Sequence, residues 1–100
     1  MAETKVQDVS TRLSKKHGNG IWRREVWVDR DGKVTRYNLA YINHYIFQGD
    51  NGRVLGYDNA HGFHHRHIMG VVESVNFLSF EDTEERFESD WMVFRRKGKQ

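Results

Sequence analysis

A chain of 100 residues with no cysteine, 37% apolar content and a net charge of +2 makes one domain with a modest core. Disulfides and thiolate metal centres are excluded. No run approaches the ~20 apolar residues of a membrane helix, and MAETKVQDVS has no apolar signal core, so a cytoplasmic protein without a membrane partner is expected.

Three Trp, four Tyr and six Phe put the weight of the core on rings. Each buried ring removes about 150–250 Å² from water. From Glu81 to Asp90 six acids face Arg86 alone, a local balance of −5 that leaves +7 for the rest. A positive body with one acidic element suits a polyanion on one surface and a basic partner on another.

In chain order, residues 1–19 read as a flexible or partly helical segment. Val6, Val9 and Leu13 permit a short helix, and Lys15–Gly20 follows as a basic linker. Ile21–Asp29 reads as a strand with Trp22, Arg24, Val26 and Val28 on one face and Ile21, Arg23, Glu25 and Trp27 on the other. A tryptophan on each face leaves one for a homodimer or partner interface. Asp31-Gly32 marks a hairpin turn. Lys33 to Phe47 continues extended, with Tyr37, Leu39, Tyr41 and Tyr45 against Arg36, Asn38 and His44. GDNG at 49–52 is a second turn, Arg53–Tyr57 a further strand, and Val71–Phe77 another after the histidine segment. Ser79 then caps a helix whose Phe80, Phe87, Trp91 and Phe94 form one stripe. Acids crowd its start and Arg95-Arg96-Lys97 its end, each complementing the nearer end of the helix dipole.

YDNAHGFHHRH at 57–67 holds four of the six histidines. In an extended segment His65 and His67 share a face while His64 and Arg66 take the other. Three chemistries suit these residues. Zinc or another divalent metal could sit on His61, His64, His65 and His67, or on two histidines of one face with Asp58 or a distant carboxylate, although catalytic zinc asks for three fixed ligands. Alternatively, two imidazoles titrating near ~6.5 could act as base and acid on a phosphodiester, with an arginine holding the phosphate oxygens. Thirdly, the segment could be a polar joint, because Asp58 and Asn59 bond readily to nearby backbone.

Tyr57-Asp58-Asn59, Gly62, His65-Arg66-His67, Gly70, Phe77 and Phe87 resemble the TumE family of prokaryotic toxin–antitoxin proteins, as do YNLAY at 37–41 and DNGRVLGYDN at 50–59. The likeness spans roughly residues 20–95. It departs at His64, where many relatives carry an acid, and at His61. The resemblance implies a toxin encoded beside a helix-turn-helix antitoxin.

The expected fold is α+β: an antiparallel β-meander of four to five strands with one long C-terminal amphipathic helix packed on it, residues 20–100 forming a single domain. The expected function is a toxin acting on RNA as a metal-independent ribonuclease without cofactor. His65 and His67 would be the acid–base pair, Arg66 the phosphate clamp and Asp58 the group fixing a histidine tautomer, with Arg24, Arg36, Arg53 and His64 contacting RNA. Two alternatives are a non-enzymatic interaction module with a structural YDN–HRH segment, and a metal-dependent hydrolase using the histidine cluster.

Overall fold

The computed structural model describes residues 2–97. Six antiparallel strands follow one another in chain order as a single meander: β1 (Thr4–Arg12), β2 (Ile21–Val28), β3 (Val34–Ile42), β4 (Arg53–Asp58), β5 (His65–Ile68) and β6 (Val71–Ser74). One helix, α1 (Phe80–Arg95), packs on the sheet, so the fold is α+β.

Alternation assigns each residue a side. In β2 and β3 the register pairs Trp22 with Tyr41, Arg24 with Leu39 and Val26 with Tyr37. Leu39 and Tyr41 then pair with Tyr57 and Leu55 of β4. These residues face α1, whose Phe87, Trp91 and Phe94 close the core with them and Val54. Edge-to-face contacts of Trp22 with Trp91 (4.6 Å) and with Phe87 (5.7 Å) tie strand to helix. Ser79 Oγ accepts from Asp82 N at 3.0 Å, so the expected cap forms, and the aromatic stripe is the buried one. Phe80 at its start is only half-buried.

Three expectations are corrected. Residues 4–12 are not flexible or helical but an edge strand, exposed throughout. Val6 and Val9 are exposed, and of the expected stripe only Leu13, beyond the strand, packs against the core. The strand's β-branched Thr4, Val6, Val9 and Thr11 fit a pleat, and β2 offered an unpaired edge. This strand brings the meander to six. The Lys15–Gly20 linker is likewise anchored: Gly18 O accepts from Tyr41 Oη (2.9 Å) and Asn43 Nδ2 (3.2 Å). Gly18 sits at φ +97 with the Arg95 carbonyl where a Cβ would lie, so only glycine lets the turn meet the end of α1. Finally, β3 stops at Ile42 and leaves Tyr45 75% exposed, outside the face it was expected to share with Tyr41.

The opposite face of the sheet is covered by no helix among the described residues. Lys5, Asp8, Arg23 and Glu25 form a charged ladder across β1 and β2, with Lys5 Nζ 2.7 Å from both Asp8 and Glu25. Exposed pairs of this kind contribute little stability. They do keep the open face polar. No helix of the described residues is long and apolar enough to cross a membrane.

Candidate functional site

The Tyr-Asp-Asn triplet ends β4, and each residue ties it to something different. Tyr57 Oη donates to Asp90 Oδ2 of α1 at 2.6 Å. Burial first, then Asp90, pushes its phenol up to about 12. Asn59 replaces a strand residue: its Oδ1 accepts from Tyr37 N and its Nδ2 donates to Thr35 O, both at 3.0 Å. Asp58 points the other way, to the open face. Its Oδ1 accepts from Ala60 N (3.0 Å), which turns the chain into the short loop before β5. His61 and Gly62, at φ 64 and 84, complete the reversal.

β5 then returns beside β4 with His65 opposite Asp58 and His67 opposite Gly56. Both imidazoles lie on the Asp58 side, their centroids 4.8 Å apart. His65 Nε2 is 2.9 Å from Asp58 Oδ1, and His67 Nε2 is 3.0 Å from Oδ2. His65 Nδ1 lies 3.1 Å from the Phe63 carbonyl. Both neighbours of the His65 ring only accept, so a ring with N–H at each nitrogen satisfies both.

A fourth member arrives from the start of β4. Arg53 Nη2 reaches His67 Nδ1 at 3.0 Å, while its Nε donates to Asp50 Oδ2 at 2.8 Å. Guanidinium never accepts, so His67 Nδ1 is the acceptor and its proton sits on Nε2, aimed at Asp58. Burial, then the charge of Arg53, lowers the His67 pKa below its ordinary value against the pull of Asp58. All four ring nitrogens of His65 and His67 are thus engaged within the fold. Asp58 is 7% exposed and His65 5%.

Alternation from Asp58 would place Arg53 on the helix side. A register irregularity opposite it, between Tyr41 and Ile42, moves it across. Gly56 makes the room: a Cβ there would meet Arg53 Cδ at 2.9 Å. Counting by twos could not find this neighbour, although a glycine inside a strand is a signal of close approach.

Arg66 does not hold the position expected of a phosphate clamp between the histidines. It lies on the helix side, where Nε donates to Glu73 (2.6 Å) and Nη1 to Asp90 (3.1 Å). Burial depresses its pKa, but the bonds with Glu73, Tyr57 and Asp90 outweigh that and raise it. Arg24 is also on the helix side, paired with Glu84 and lying over the Phe80 ring at 5.3 Å. His64 sits there too, stacked on Phe77 at 3.9 Å with Nδ1 2.8 Å from Tyr37 Oη. His61 is exposed in the loop. Of the four expected nucleic-acid contacts, Arg36 and Arg53 reach the open face.

Asp58, His65 and His67 could hold a metal, since one ligand atom from each lies within 4.8 Å of the others. This matches the expected alternative of two histidines on one face with Asp58, whereas His61 and His64 of the four-histidine set stand apart. The donor set suits a nitrogen-preferring divalent ion. His65 fits best, its second nitrogen already held by a carbonyl.

Of the two tryptophans that alternation placed on opposite faces of β2, Trp22 packs on α1 and Trp27 takes the other side. On the open face it lies between Arg36 Cζ, 4.5 Å from the ring centroid, and Lys5 Nζ at 4.9 Å. Lys5 comes from β1, so the arrangement required a strand the sequence did not announce. No carboxylate among the described residues pairs with Arg36. A concavity of about 270 Å³ beside it is lined by Glu25, Trp27, Arg36, Asn38, Arg53 and Asp58. Asn38 Oδ1, shielded from solvent there, has no hydrogen-bond partner.

His64 gives the chain a pH dependence. Burial, then the neighbouring His65, lowers its pKa below the ordinary value. The unfolded ring takes up its proton near pH ~6.5, before the folded ring does. Stability is therefore complete at neutral pH and falls as pH drops through ~6.5, because the unfolded chain then binds more protons. Thermal unfolding at pH 7.5 and 5.5 should show a lower Tm in acid. His64→Phe keeps a ring on Phe77 and should reduce the difference, the remainder belonging to His67, whose pKa is also lowered; an undiminished slope would assign it elsewhere.

Compared with family models, curated proteins and solved structures, the chain has no match.

Proposed function

We propose that this chain is a binding module for single-stranded RNA, acting by occupancy rather than by cleavage, with the open face of the sheet as its contact surface. The observation that carries the reading is the Lys5–Trp27–Arg36 stack on that uncovered face. A base stacks on an indole while neighbouring cations take its phosphates. A toxin paired with a helix-turn-helix antitoxin, as the TumE resemblance implies, would then work by sequestering RNA, and the acidic start of α1 is the surface that suits a basic antitoxin.

The Asp58-centred cluster supports a scaffold role in this reading. Acid–base catalysis needs an imidazole nitrogen within reach of the substrate proton. Here all four are bonded inside the fold, and the guanidinium expected between the rings lies on the other side of the sheet.

Fluorescence anisotropy with a labelled single-stranded RNA tests this. Trp27→Ala should weaken binding about tenfold or more, one base–aromatic stack contributing about 1–3 kcal/mol. Affinity should fall with salt as counterion release requires. The RNA should remain intact with and without EDTA. Cleavage that His67→Ala abolishes would restore the ribonuclease reading, and affinity indifferent to Trp27 would remove the open face from the account.

A further inference from the structure

The cluster at the end of β4 contains a conflict that a metal ion would expose. In the metal-free network the His67 proton is on Nε2 because Arg53 occupies Nδ1 as a donor. A metal takes an imidazole through a bare nitrogen. Occupying the space between His65 Nε2, His67 Nε2 and Asp58 therefore strips Nε2 of both rings. His65 releases its Nε2 proton to solvent and keeps the Nδ1–H that faces the Phe63 carbonyl. His67 moves its one proton from Nε2 to Nδ1, which sets N–H against N–H of Arg53, and the contact breaks.

We propose that Asp58, His65 and His67 form a divalent transition-metal site whose occupation switches the His67 tautomer and expels Arg53 Nη2 from its ring. The site would take an ion that accepts two imidazoles and a carboxylate, with zinc as the probe used here. Asp50 is the pivot: its 2.8 Å bond to Arg53 Nε holds the base of the guanidinium while the far end swings free. Because Arg53 lines the concavity beside Trp27 and Arg36, the movement changes the open face. The site itself does not depend on RNA binding there, and its test contains no RNA.

Zinc is titrated into the full chain labelled with ¹⁵N, and the imidazoles are followed in long-range proton–nitrogen spectra. His67 is expected to begin as the Nε2–H tautomer and end as Nδ1–H, with His65 Nε2 shifting in parallel. Calorimetry on Arg53→Met should show zinc binding about tenfold tighter than wild type, since a neighbour that opposes the bound tautomer is gone. That variant keeps all three ligands, and the wild-type spectra need no variant to fold. Zinc shifts confined to His17, His44 and His61, or an Arg53→Met affinity equal to or weaker than wild type, would overturn the proposal.

Discussion

Asp58→Ala is expected to lower stability by about 3–5 kcal/mol, the cost of removing one partner from a buried charged group. Three donors lose their acceptor at once: His65 Nε2, His67 Nε2 and the Ala60 amide. Arg53 loses the carboxylate 3.8 Å from its Nη1. Urea unfolding should show a lower midpoint with an unchanged slope. Asp58→Asn is the sharper control. Its carbonyl can still accept from Ala60 and His65, but its amide faces the donor at His67 Nε2, so a smaller loss is expected. If Asp58→Ala unfolds within about 1 kcal/mol of wild type, less than the cost of stranding a buried polar group, the cluster is not what joins these strands. An aspartate kept only for catalysis would leave stability unchanged, so this measurement separates scaffold from active site without a substrate.

Trp91→Ala should cost about 3–5 kcal/mol, as expected for a large ring removed from a closed core. Trp91 is 6% exposed and makes edge-to-face contacts with Trp22 at 4.6 Å and Tyr41 at 6.5 Å. It therefore joins α1 to both β2 and β3. Neighbouring rings are held by the helix and strands, so they cannot collapse into the space left behind. Helical circular dichroism and the urea midpoint should fall together. Trp91→Phe keeps a ring in the same place and should recover most of the loss. A midpoint insensitive to Trp91→Ala would mean that α1 does not close this core.

The expected α+β architecture and the buried stripe of α1 are found, and both were legible for a local reason. Ser79, Phe87, Trp91 and Phe94 act through spacing within one element. The two faces of β2, the core side of β3 at Tyr37, Leu39 and Tyr41, and the shared side of His65 and His67 follow from alternation of two. Elsewhere neighbours came from other strands. β1 exists because β2 had an edge to pair, a fact outside residues 4–12. Trp27 became a stacked platform only when β1 brought Lys5 across it.

Amino-acid order by itself thus determined which segments alternate, which stripe is apolar, where the acidic helix begins, and that His65 and His67 would share a side of their strand. Only the folded chain decided what surrounds them. Arg66, their neighbour in sequence, was carried to the far side by the pleat, and Arg53, many residues away, was brought in over Gly56. Spacing along a strand sets the side a residue faces. Register between strands, with its irregularities, sets what it meets there.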